Sequence, residues 1–279
     1  MEITQPASAR AGAWRRAGRE LTLVAVLFLA YKGARQLVAG HAAAALANGE
    51  RTWQLERMLR LPDEALVQAP LLSELPAQLA NSYYAYVHFP ATVLCLVWLY
   101  LRRPAHYLRL RRALAALTAA ALVLHVWIPL APPRLTALTG LVDTGRVYGP
   151  SVYGPPESDQ LSNQYAAMPS LHVGWAFAVA LALAAVTAGR WRWLWLAHPL
   201  VTMLVVVGTG NHYWVDGAVA VALLGLILAV LPKPAALPPV APATPPRPHV
   251  VPSPRRAGHR RTAKVQAAAD VRLRPPGRG

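Results

Sequence analysis

The sequence predicts an all-α fold, a polytopic integral-membrane bundle of about six transmembrane helices followed by a disordered basic tail. Three observations carry this reading. Hydrophobic residues make up 55% of the 279 positions, and mean hydropathy is +0.30. Apolar stretches of about twenty residues recur along the chain, the length that crosses a bilayer. Lipid offers no partner for backbone N–H and C=O groups, so each such stretch has to be helical. The formal charge of +16 would point to nucleic acid in a soluble protein. Here it flanks apolar runs and reads as loop charge that sets topology. Cys95 is the only cysteine, so no intrachain disulfide forms.

The spans follow in order. Four arginines (Arg10, Arg15, Arg16, Arg19) precede a first run over residues 21–40. No small-residue cleavage site follows it, so it reads as an uncleaved span behind a basic cytoplasmic N-terminus, residues 1–20. Residues 41–81 carry a charged amphipathic stretch with Glu50, Arg51, Glu56, Arg57 and Arg60, expected as interfacial helices, with Leu61-Pro62-Asp63 as a break. Further spans are expected over residues 84–101, 113–130, 170–188, 194–209 and 214–231. The membrane domain is thus 21–231, with a loop at 131–169. Beyond 232 the chain is rich in Pro, Ala and Arg and cannot bury a core. Residues 232–279 read as a disordered cytoplasmic tail attracted to anionic headgroups, without the interleaved aromatics of a nucleic-acid arm.

Basic residues alternate by side. They crowd the N-terminus, the 102–112 link (Arg102, Arg103, Arg109, Arg111, Arg112), the 189–193 link (Arg190, Arg192) and the tail. The 41–81 and 131–169 connections hold more acids than arginines. The positive-inside rule then puts both termini in the cytoplasm and the other two connections outside, at a cell or plasma membrane.

Two segments at the mouths of spans carry the chemistry: Pro169-Ser170-Leu171-His172-Val173-Gly174, and Gly208-Thr209-Gly210-Asn211-His212-Tyr213-Trp214-Val215-Asp216. His212 and Asp216, four apart, share one helix face. The carboxylate can hold one imidazole nitrogen as N–H and leave the other to attack; a structural His–Asp bond closing the helix is the plainer reading. Pro169 and Ser170 mark a helix N-terminus, whose unpaired N–H groups favour phosphate. His172 in that first turn can protonate a leaving oxygen. Gly174 permits close packing. Arg134, in Ala131-Pro132-Pro133-Arg134, offers a planar guanidinium for phosphate or an interface anchor. Arg35, in the outer half of the first span, reaches phosphate or snorkels. His88, Tyr84 and Asn211 are candidates for a headgroup pocket, and His125 and His198 for packing or hydrogen-bonded roles. The histidines form no compact zinc pattern; a metal on His172, His212 and Asp216 is conceivable only if the fold supplies the geometry, and no cofactor is expected.

Pro-Ser-Leu-His, the downstream His-x-x-x-Asp and six spans resemble the type 2 phosphatidic acid phosphatase superfamily. Ala166-Ala167-Met168-Pro169-Ser170-Leu171-His172, Asn211-His212-Tyr213 and Gly140-Leu141-Val142-Asp143-Thr144 resemble its inositol phosphorylceramide synthase-like, inositolphosphotransferase branch, over residues 20–231. The resemblance implies His212 as a phosphohistidine-forming nucleophile, Asp216 as its orienter, His172 as general acid, Ser170 and its backbone on phosphate oxygens, and no metal. Two departures stand out. Val206 occupies the position, six before the nucleophile, where the superfamily usually has arginine. The Lys-led first motif is absent. Arg134 and Arg35 are expected to supply the missing charge.

The expected function is phosphatase or phosphotransferase action on a lipid phosphate or a prenyl phosphate or diphosphate within the bilayer, with water or an alcohol as acceptor. A non-catalytic lipid-phosphate binder is the alternative from another class. A transporter would need paired broken spans with mid-membrane polar groups, and the polar groups here gather at one face.

Overall fold

The computed structural model describes residues 7–38, 40–154 and 163–233. The expected disordered tail lies outside the described residues, apart from its first two positions. Among the described residues the fold is all-helical, with a single isolated parallel bridge between Leu130 and Ala166. The α-helices are α1 (Ala7–Val38), α2 (Ala42–Met58), α3 (Glu64–Gln68), α4 (Glu74–Tyr86), α5 (His88–Arg102), α6 (Pro104–Trp127), α7 (Thr144–Tyr148), α8 (Leu171–Val186), α9 (Ala197–Gly208) and α10 (Trp214–Val230).

Among the described residues, two segments are long and apolar enough to cross a membrane: Pro104–Trp127 and Arg190–Gly208. The second is α9 preceded by a 3-10 turn over Arg190–Leu196. The α4–α5 pair, bent by 40° at Val87, makes a third, and α8 and α10 are shorter apolar helices. The expected span at 84–101 therefore begins inside α4 and continues, after the bend, as α5. Helix α6 starts nine residues before the expected span, because Pro104 sits well in a first turn and the arginine-rich stretch continues as helix.

Helix α6 is central and packs on α1, α5, α8 and α10. Its Leu110, Leu114 and Leu117 meet Cys95 and Leu99 of α5, Ala178 and Val179 of α8 and Leu224 of α10. Close approach depends on Gly174, where an added Cβ would lie 2.7 Å from Leu117 Cδ2 and 3.4 Å from Ala220 Cβ. Outward faces carry exposed apolar side chains such as Leu94, Val97, Leu101, Leu204, Leu226 and Val230. This inside-out distribution fits a protein whose surroundings are apolar.

The segment before α4 is short and charged. Asp63 caps α3, its Oδ1 accepting Ala65 N–H at 3.0 Å, so the break at Leu61-Pro62-Asp63 separates α2 from α3. Helix α2 packs on α10 and on the turns at 133–139. Gly49 makes this contact tight: an added Cβ would sit 2.6 Å from Thr136 Oγ1 and 3.0 Å from the Ala131 carbonyl. Gly49→Ala should therefore lower the unfolding temperature in detergent by the equivalent of about 1–3 kcal/mol. Gly33→Ala, in α1 with nothing within 4 Å of the added carbon, should not lower it and should raise it by the equivalent of about 0.5–1 kcal/mol, since alanine favours a helix interior.

Candidate active site

The two sequence segments meet. Ser170 begins α8, its Oγ accepting Val173 N–H at 3.4 Å, and its own N–H donates to the Asp216 carbonyl at 3.1 Å. The N-terminal turns of α8 and α10 are therefore tied by backbone, although 46 residues separate them in sequence. Helix α9 ends at Gly208, and Gly210 (φ +70°) turns the chain back. The amides of Asn211 and His212 both donate to the Val206 carbonyl, at 2.9 and 3.0 Å.

His212, 6% exposed, has its Nδ1 2.8 Å from the Ala167 carbonyl and 3.3 Å from Asp216 Oδ2. A carbonyl only accepts, so Nδ1 carries the hydrogen and donates to both. Nε2 is left with its lone pair. Asp216 is fully buried. Its Oδ2 also accepts Tyr213 N–H at 2.9 Å, closing a capping box. The Ala167 carbonyl is a partner that residue patterns do not show, because main-chain groups carry no sequence signature.

His172 lies in the first turn of α8. Its ring centroid is 6.0 Å from that of His212, 4.9 Å from His88 and 4.4 Å from Tyr84, on which it stacks. His88 is 2% exposed, and its Nδ1 has no hydrogen-bond partner among the described residues. His125, expected to pack or hydrogen-bond, approaches the Pro169 carbonyl at 3.4 Å. His198 bonds Tyr83 Oη through Nδ1 at 2.9 Å.

Arg134 reaches the same place from the 131–135 turn, held by its N–H on the Gly210 carbonyl at 2.9 Å. Its guanidinium bonds Asn211 Oδ1 (3.0 Å), Asp143 Oδ2 (3.2 Å) and Gln164 Oε1 (3.3 Å), and lies 4.4 Å from the Tyr153 ring centroid. Its side chain is 3% exposed. Val206, where a third-motif arginine is usual, is buried against an apolar cluster with Tyr84, Val173 and Val207. Cationic charge thus enters from the loop and not from α9.

One cavity of about 680 Å³ joins these groups. His172, His212, Arg134, Asn211, Tyr84 and His88 all line it. Leu27 and Phe28 of α1, with Phe89, Leu122 and Trp175, line its apolar remainder. Asp216 and Ser170, both fully buried, lie behind the lining and act on it through His212 and the cap of α8. The Arg35 side chain lies outside the described residues. Gln164, Tyr153 and Tyr31 also line the cavity. Sequence reasoning missed all three, since they sit in a loop or among apolar residues with no motif around them.

Helices with apolar outward faces, enclosing a largely apolar cavity that carries a cluster of polar groups, fit a membrane protein. The chain belongs to the PAP2 superfamily, a group of phosphatases and phosphotransferases, whose family model matches residues 50–230. No curated protein and no solved structure matches the chain.

Arg134 joins three acceptors from three segments, so its removal should loosen the loop even without substrate. Arg134→Met is expected to lower stability by about 1–3 kcal/mol as three partly buried acceptors lose a donor. Arg134→Lys should restore only part, because an ammonium lacks the planar fork. Thermal unfolding of both variants in detergent checks this.

Proposed function

We propose that this protein is a membrane-embedded lipid-phosphate phosphatase or phosphotransferase working by double displacement through a phosphohistidine. The observation that carries the reading is His212 itself: Nδ1 is engaged by the Ala167 carbonyl and Asp216, while the ring lines the cavity shared with His172 and Arg134. His212 Nε2 attacks phosphorus. The bond from phosphorus to the leaving oxygen breaks, and that oxygen takes a proton from His172. Water or an alcohol then attacks the phosphorus, gives its proton to His172, and breaks the P–N bond. Asp216 stabilises the imidazolium formed in the first step. Arg134 neutralises the phosphoryl oxygens, exchanging part of its present partnership for them. Ser170 acts through the cap of α8, presenting first-turn N–H groups to the anion. No metal enters these steps.

The proposed architecture keeps six spans, α1 providing the first, with the active site extracytoplasmic and both termini cytoplasmic. Support comes from α6, about 36 Å long at 1.5 Å per residue, which is enough to cross the hydrocarbon core. His125 near one end lines the catalytic cavity, whereas Arg109 and Arg112 near the other line a small cleft with Lys233. Such segregation is what the positive-inside rule produces. The apolar wall formed by α1, α5, α6 and α8 suits the chain of a lipid or prenyl phosphate. Pro-Ser-Leu-His and the following His-Tyr favour the inositol phosphorylceramide synthase-like branch, hence an inositol or sugar hydroxyl as acceptor.

Purified protein in detergent with EDTA, offered radiolabelled lipid and prenyl phosphates, tests the reading. Wild type should turn over and carry an acid-labile label. His212→Ala should lose both, with turnover down by about 10³-fold or more. Asp216→Asn should keep at least about tenfold more activity than His212→Ala, because the Ala167 carbonyl still holds the Nδ1 hydrogen. Folded wild type with neither label nor turnover on any donor would contradict the proposal.

A further inference from the structure

Behind the His212–Asp216 pair lie two carboxyl groups that the mechanism does not use. Glu56 of α2 is fully buried and Glu64 of α3 is 1% exposed. Neither belongs to the apolar helices; α2 and α3 form part of the short charged segment before α4. Glu56 Oε1 accepts the Val215 N–H at 2.8 Å, in the first turn of α10. Glu64 Oε2 accepts from Arg57 Nη2 at 3.0 Å, and Arg57 Nη1 also reaches the half-exposed Asp63 at 3.5 Å. The remaining oxygens, Glu56 Oε2 and Glu64 Oε1, are buried with no hydrogen-bond donor among the described residues.

Two carboxylates this deeply buried beside one guanidinium cannot both ionise. A single proton on Glu56 Oε2, donated to Glu64 Oε1, satisfies every atom of the pair. Glu64 keeps its other oxygen on Arg57. The neutral Glu56 keeps its carbonyl oxygen on Val215. The facing charged and titratable groups agree with this assignment: Glu64, Arg57 and Asp63 on the α2–α3 side, Asp216 and Tyr213 on the α10 side. Burial, then the bond to Glu64, pushes the Glu56 carboxyl up to about 9, the Val215 N–H pulling the other way.

The first turn of α10 has little else to hold it from this side. Its N–H groups have no partners within the helix. Tyr213 N–H goes to Asp216, Val215 N–H goes to Glu56, and the Trp214 indole donates to the Pro62 carbonyl at 2.9 Å, beside the same carboxyl pair. We propose that Glu56 is a positioning residue: sharing one proton with Glu64, it anchors the first turn of α10 and so keeps Asp216 and His212 aligned. This rests on the catalytic reading of His212. It also makes the alignment sensitive to alkali, because loss of the shared proton leaves two adjacent buried anions next to Asp216.

Glu56→Gln separates the two parts of the idea. Its amide oxygen can accept from Val215 and its amide nitrogen can donate to Glu64, so it copies the protonated acid without titrating. Glu56→Ala removes both bonds. A carboxyl raised from 4.5 to about 9 contributes stability that is full below about pH 4.5 and is lost as pH rises to about 9. In thermal unfolding without substrate, Glu56→Gln should match wild type near pH 5, exceed it increasingly up to about pH 9, and hold a constant advantage beyond.

With a lipid phosphate that wild type turns over, Glu56→Gln should keep kcat within about twofold and lack the wild type's alkaline fall. Glu56→Ala should lose about tenfold or more in kcat with KM little changed, because Glu56 touches no substrate. A Gln variant whose stability runs parallel to wild type across this range, or which is as inactive as the Ala variant, overturns the proposal. So does wild-type kcat in Glu56→Ala. If wild type turns over no donor, it is the catalytic reading that fails, while the unfolding series still decides whether the pair shares a proton.

Discussion

The His212 Nδ1 hydrogen has two acceptors, and the nearer is not the aspartate. At 2.8 Å the Ala167 carbonyl is the shorter contact, with Asp216 Oδ2 at 3.3 Å. This shared hydrogen bond fixes the tautomer, because a carbonyl cannot donate. It also fixes the chain, because Ala167 belongs to the strand-like turn paired with Leu130 and leads straight into the cap of α8. The Ser170 N–H on the Asp216 carbonyl completes the loop. Ring orientation, helix α8 and helix α10 are therefore one mechanical unit, and moving any of the three disturbs the other two.

The surroundings of that unit hold charge economically. Asp216 is fully buried with Oδ1 unpartnered among the described residues. Its balance comes from His212, from the helix end it caps, and from keeping the next carboxyl, Glu56, neutral. On the cavity side Arg134 is spread over Asn211, Asp143 and Gln164. An arginine held by three acceptors is preorganised in its plane, the property wanted for stabilising a developing phosphoryl charge. The same acceptors temper its attraction for a ground-state phosphate.

Much of this was written in local pattern. The four-residue spacing of His212 and Asp216 did pair them, but not along one helix face as expected: His212 lies two residues before α10, and the carboxylate reaches back across the N-cap. Ser170 after Pro169 capped a helix because a hydroxyl suits an orphan N–H. What stayed hidden required long-range packing. Glu56 looked like one charge among several on an amphipathic stretch, yet it points at an amide 159 residues away. Gln164 and Tyr153 sit in a polar loop whose sequence says only that it turns. The bend at Val87 was also invisible, since the expected span over 84–101 runs through it from the end of α4 into α5. Val206 was legible as a missing arginine, but that Arg134 stands at the cavity depends on the Gly210 turn, where an added Cβ would lie 3.1 Å from Arg134 Cβ.

In the proposed mechanism His212 attacks through Nε2 because Nδ1 is occupied. Trapping the labelled protein at the first step, digesting it under alkaline conditions and locating the phosphoryl group by mass spectrometry with phosphorus-31 NMR reads this directly. The account predicts phosphohistidine at residue 212 substituted on Nε2. A phosphoryl group on Nδ1, or on any residue other than His212, would contradict it.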